Sequence, residues 1–203
     1  MARKSKSIAE FWRERTGTEY IHTNLRWNWI DYPMFEFAEV LECTALPKGR
    51  IESFVRRGLL DLGATRPKGG KGYRRLYSGR EILKIWAVDG LVTAGAWTEC
   101  LIETFGTKRE FDLILNSYQF GAYSPVNRPD PIEMNTRAER RFYDTGKSSP
   151  YETELELNLA RIRGEWPKPD WAFLTFDVGE FIAESMPRLI RFVESKGVAL
   201  TDR

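Results

Sequence analysis

One histidine and two cysteines in 203 residues leave little for metal or redox chemistry to use. His22 stands alone near aromatic residues, the ordinary setting of a structural histidine. Cys43 and Cys100 lie far apart, with no CxxC and no flanking histidines. Neither a zinc site nor a disulfide framework is expected from that spacing, and two reduced, core-type thiols are. No apolar run approaches the ~20 residues of a membrane span. The basic opening segment Met1–Ser7 leads to Phe11-Trp12-Arg13-Glu14-Arg15, not to an apolar signal core, so a cytoplasmic location is expected. GxxxxGK(S/T), GxSxG and metal triads are missing as well. The closely spaced carboxylates Glu152, Glu154 and Glu156 sit on what reads as a solvated helix. An enzyme and a cofactor are therefore not expected.

What is present is an ordinary globular composition, 42% apolar and 30% charged, so wholesale disorder is not expected. Seven Trp, eight Tyr and twelve Phe make the chain rich in aromatics. Core filling accounts for most of them, and base stacking is the alternative. The net charge of +2 argues for nothing, but its distribution does. From Pro47 to Arg80, ten basic residues (Lys48, Arg50, Arg56, Arg57, Arg66, Lys68, Lys71, Arg74, Arg75, Arg80) face two acids, Glu52 and Asp61. That local balance of +8 leaves −6 for the rest of the chain. One basic patch on an otherwise acidic protein is the footprint of a phosphate-binding face, with a merely solvated charge run as the bland alternative.

The layout around that patch is specific. Phe35–Leu41 has the spacing of a first helix, and a second is expected from about Pro47 to Arg57, with Pro47 in its first turn. Ile51, Phe54 and Val55 would face inward, while Lys48, Arg50 and Arg57 face out, and Gly58 would end the helix in a left-handed conformation. Three glycines in Gly69-Gly70-Lys71-Gly72 suit a hairpin tip, and Tyr73–Tyr77 suits its return strand. Ser78 with Glu81 forms a capping box for a helix over Arg80–Leu91, and Thr98 is placed to start another. This order reads as a mainly α fold: a winged helix-turn-helix over 35–105 with a small β-hairpin wing. An N-terminal brace (1–34, with the aromatic run Trp27–Pro33) precedes it, and a mostly helical region of unknown role (106–203) follows.

On these residues the segment resembles the MerR-type winged helix-turn-helix and its excisionase-like relatives. The matching parts are Phe35–Leu41, the Gly58-Leu59-Leu60 exit, Arg74-Arg75-Leu76-Tyr77-Ser78, and the pattern from Ile82 through Ile85, Leu91 and Gly95 to Leu101, about a third of the chain. The resemblance implies that the second helix enters the DNA major groove and the wing grips flanking phosphates. By position, Phe54 matches the second of the family's paired recognition-helix aromatics, and Arg74 or Arg75 its wing arginine. Ser53 stands where the first aromatic is usual, and Glu52 where an arginine is common. Gly90, Gly95 and Gly106 interrupt the region where such regulators carry a long coiled-coil helix.

Beyond the wing, Gly106–Tyr118 suits one more helix and 119–131 a linker. Helix starts at Asp130-Pro131-Ile132-Glu133 and Ser149-Pro150-Tyr151-Glu152 predict helices near 131–144 and 150–163. Trp171–Phe176 reads as a strand. Asp177 then caps an amphipathic helix, interrupted by Pro187 and ended by Gly197, that is a candidate dimerisation element or part of the chain's own core. The expected function is sequence-specific binding of double-stranded DNA, in the role of a transcriptional regulator. Lys48, Arg50 and Glu52 would address base edges, with Arg57, Arg66, Lys68, Lys71, Arg74, Arg75 and Tyr77 along the backbone. The alternatives are a phage-type accessory factor, such as an excisionase or a packaging recognition subunit, and a protein-interaction module built on a repurposed winged helix.

Overall fold

Local chemistry starts most of the helices in the computed structural model, which describes residues 5–21, 25, 27–62, 75–96, 98–107, 109–122, 132–135 and 173–200. A short strand β1 (Lys6–Ser7) runs into helix α1 (Ile8–Thr16) through a capping box. The Glu10 N–H donates to Ser7 Oγ at 3.2 Å, and the Ser7 N–H donates to Glu10 Oε2 at 2.7 Å. A 3-10 helix (Asn28–Asp31) follows, with Trp29 and Ile30 buried.

The first expected helix begins two residues late. Phe35–Glu36 is strand β2, and helix α2 runs over Phe37–Thr44. The reason is non-local: β2 pairs antiparallel with β3 (Leu76–Tyr77), placing Phe35 opposite Tyr77. Helix α3 covers Lys48–Arg56 with Pro47 at its cap position. It ends as anticipated, because Gly58 takes φ +71° while its N–H reaches Val55 O and the Leu59 N–H reaches Phe54 O, the paired closure of a Schellman motif.

Helix α4 (Gly79–Ala94) is the centre of the molecule, three residues longer than expected at its end, and Ser78 and Glu81 form its predicted capping box. Ile82, Leu83, Ile85 and Val88 are fully buried along it. Helix α5 (Thr98–Ile102) continues into a π-helical turn (Glu103–Thr107), and helix α6 covers Glu110–Gln119. The helix expected near 131–144 is corrected where it is described. Ile132–Asn135 is strand β4, paired antiparallel with β5 (Phe173–Phe176), the segment that reads as a strand in the sequence. Its proline-and-acid start signal yields to pairing with a partner some forty residues away. The remainder of that helix, and the one expected over 150–163, lie outside the described residues.

The last helix, α7 (Val178–Ser195), is capped by Asp177 and continues through Pro187. Its apolar side, Ile182, Met186, Leu189 and Val193, is buried against the chain's own core, Glu184 and Arg191 are exposed, and the Arg188 guanidinium lies 4.5 Å from the Trp86 ring. The apolar stripe that marked it as a dimerisation candidate is thus already covered. Gly79 lets α4 approach this layer closely, since a Cβ there would lie 3.2 Å from both Ile30 Cα and a Leu189 methyl. Strand β6 (Val198–Ala199) then pairs in parallel with β1, joining the two ends of the described chain. Residues of the 1–34, 35–105 and 106–203 segments all enter one hydrophobic cluster. None of the described helices is long and apolar enough to cross a membrane.

Candidate nucleic-acid interface

Helix α3 has two sides of different character. Ile51 and Phe54 are buried, and Lys48, Glu52, Val55 and Arg56 are exposed on successive turns. Lys48 and Glu52 approach to 3.5 Å across one turn, both well exposed, so this pair contributes little to stability. Val55 was expected to face inward and instead is 40% exposed, because the core side is filled by Ile51 and Phe54 alone.

Arg50 also departs from expectation. It lies on the flank facing α4, where Nε pairs with Asp89, Nη2 donates to Thr93 Oγ1 at 2.9 Å, and the guanidinium lies 5.6 Å from the Phe54 ring. Asp89 neutralises it, and the side chain points away from the face shared by Lys48, Glu52 and Arg56. Arg57 is exposed beyond the helix end and donates to Thr98 Oγ1 at 2.9 Å. Arg56 lies on the same exposed side. Its place four residues after Glu52 and eight after Lys48 is the signal that puts it on the exposed face, where it meets no acid among the described residues.

At the base of the expected wing, Arg75 is half-buried. Its guanidinium sits 5.0 Å from the Tyr77 ring and donates to the Leu62 carbonyl. Tyr77 is buried, with its ring 5.5 Å from that of Phe37, and burial pushes its hydroxyl above the ordinary value of 10.0. Its position is that of a packing residue under the β2–β3 pair. Arg66, Lys68, Lys71 and Arg74 lie outside the described residues, as do His22 and the glycine run.

Arg80, the last cation of the basic stretch, belongs to the interior. Its side chain is 16% exposed and is surrounded by acceptors from two elements, the 3-10 helix and α6. Nε donates to Asp31 Oδ1 at 2.6 Å, Nη1 to Asp112 Oδ1 at 3.3 Å, and Nη2 to Asn116 Oδ1 and Gln119 Oε1 at 2.8 Å each. Lys84 Nζ closes the network on Asp112 Oδ2 at 2.5 Å, and Gln119 Nε2 donates to Asp31 Oδ2 at 2.9 Å. Such a network fixes α4 against the 3-10 helix and α6 and is unavailable to a phosphate. The sequence gives no local sign of it, since its acids lie 49 and 32 positions from Arg80.

Two acids near these elements have shifted ionisation. Burial tends to raise the Glu39 carboxyl, but the Arg15 guanidinium bonded to both its oxygens at 2.6 and 2.7 Å and the Glu36 N–H outweigh it, leaving the group below 4.5. Glu81 is held above 4.5 by burial, which its Ser78 hydrogen bonds only partly offset. Cys43 is buried and its thiol is pushed up to about 12. Among the described residues no three His, Cys, Asp or Glu side chains are grouped to hold a metal ion. No protein-family model matches the chain, and comparison with curated proteins finds no match.

Proposed function

We propose that this chain is a double-stranded DNA-binding protein, a regulator of transcription and not an enzyme. In this reading α2, α3, the β2–β3 pair and α4 form a MerR-like winged helix-turn-helix. Helix α3 enters the major groove with Lys48 and Glu52 toward base edges, and Arg56 and Arg57 toward the phosphates. The observation that carries the reading is one of charge and position. The exposed face of α3 presents Lys48 and Arg56, with Arg57 at the helix end, and in the sequence the segment 63–74 carries Arg66, Lys68, Lys71 and Arg74 without an acid. An anionic polymer is the partner that such a surface suits.

The test is fluorescence anisotropy with mixed genomic duplexes across a salt series. Each phosphate neutralised contributes about −0.9 to the slope of log affinity against log salt. Changing Arg66, Lys68, Lys71 and Arg74 together to Ala removes up to four such contacts and should flatten the slope by up to about 3.6 for every duplex alike. Lys48→Ala should instead narrow the gap between preferred and random duplexes. Failure to bind duplex DNA at low salt would refute the proposal.

A further inference from the structure

The exposed face of α3 carries an apolar side chain among its charges. Val55 is among four large apolar side chains exposed in the described residues, the others being Ile21, Leu113 and Phe120. It alone lies on the helix that carries the cations. It stands three residues after Glu52 and seven after Lys48, on the same side of the helix. At 1.5 Å of rise per residue, Lys48 to Val55 spans about 10.5 Å, the length of about three base pairs.

The chemistry of the three side chains differs in a way that matches base edges. An ammonium suits the O6 and N7 acceptors of guanine, a carboxylate accepts from the amino group of cytosine, and an apolar side chain packs on the methyl group of thymine. Val55 is 40% exposed and sits between the polar residues Glu52 and Arg56 in the sequence of this face. We infer that Val55 reads a thymine 5-methyl group in the major groove, making α3 a mixed polar and apolar reader instead of a purely electrostatic clamp. This rests on the DNA-binding reading above and adds to it a base identity.

The experiment separates the two. A randomised duplex pool is selected on the full chain, and each thymine of the enriched sequence is then replaced by uracil, which removes only the methyl group. The parent protein should lose about four-fold in affinity at one position, the worth of one buried methyl. Val55→Ala, an exposed change that raises helix propensity and so preserves the fold, should bind the thymine and uracil duplexes about equally at that position. Comparing the four combinations cancels any effect of uracil on DNA shape. If no duplex is bound even at low salt, the DNA-binding reading fails and this inference with it; if duplexes are bound but none is enriched, DNA binding stands and the assignment of Val55 is overturned. If a duplex binds but no uracil weakens it, or the weakening persists in Val55→Ala, DNA binding stands and the assignment of Val55 is overturned.

Discussion

Arg80→Met separates a structural cation from a phosphate contact more sharply than any other single change in the basic stretch. Methionine keeps much of the aliphatic stem and removes only the guanidinium. The loss strands four acceptors at once: Asp31, Asp112, Asn116 and Gln119. Removing one partner of a buried charge pair costs about 3–5 kcal/mol, because the other charge stays behind without its counter-ion. Two features move the figure to the low end. Asp31 is 36% exposed and can rehydrate, and Asp112 keeps Lys84 at 2.5 Å. A loss of about 3 kcal/mol is therefore expected, which for a chain of this size lowers the melting temperature by about 6–12 °C.

Thermal melts and urea titrations of parent and variant give that number directly, and binding measured well below both transitions gives the other half. DNA affinity and its salt slope should be unchanged in Arg80→Met, whereas Arg56→Ala should reduce the slope by about 0.9 with little change in melting. The reasoning is refuted if Arg80→Met melts within about 1 °C of the parent. It is equally refuted if the variant loses a phosphate's worth of salt slope with its stability intact, since Arg80 would then belong to the surface.

The shifted acids give two further expectations of opposite sign. Glu39 is depressed in the folded state, so its pairing with Arg15 stabilises fully above pH 4.5 and is lost as pH falls through the lower folded value. Glu39→Gln should cost about 1.5–3 kcal/mol at pH 7, by urea titration, with the difference from the parent shrinking in acid. Glu81 is raised, so its ionisation opposes folding: the favourable contribution is present below pH 4.5 and disappears as pH rises through the folded value. Its Oε1 is buried without a hydrogen bond while Oε2 receives the Ser78 N–H, a role that glutamine can also fill. Glu81→Gln should therefore melt above the parent at pH 7, with the gap closing toward pH 4.5. For Cys43, a thiol held at about 12 and buried should resist iodoacetamide at pH 8 in the native protein and react on unfolding, which mass spectrometry of the alkylated peptide reads out.

Elements whose cause is local were legible from the residues. The Ser78–Glu81 box, the Gly58 closure and the Asp177 cap depend on side chains within a few positions of each other, and each is found where the spacing puts it. Elements whose cause is distant were not. Phe35–Glu36 carries a helix-like pattern but joins Leu76–Tyr77, and Ile132–Asn135 carries a helix start but joins Phe173–Phe176. The same distinction runs through the candidate site. Spacing along α3 places Lys48, Glu52 and Arg56 together, yet no local rule turns Arg50 toward Asp89, 39 positions on, or buries Arg80 among acceptors of the 3-10 helix and α6.

Ten cations between Pro47 and Arg80, if all met phosphates, would set a salt slope near −9. Asp89 already neutralises Arg50, and Asp31 with Asp112 neutralises Arg80, so neither can release a DNA counter-ion without breaking a pair within the fold. Eight cations remain, and the slope for one copy of the chain should not exceed about −7. Glu52 opposes Lys48 on the exposed face, and Arg75 is held by Tyr77 and the Leu62 carbonyl, which pulls the expected value lower still. A measured slope steeper than about −7 would mean that cations outside this stretch, or a second copy of the chain, reach the duplex. A slope between about −4 and −7 would fit a single α3 face with the adjoining basic segment on the phosphates.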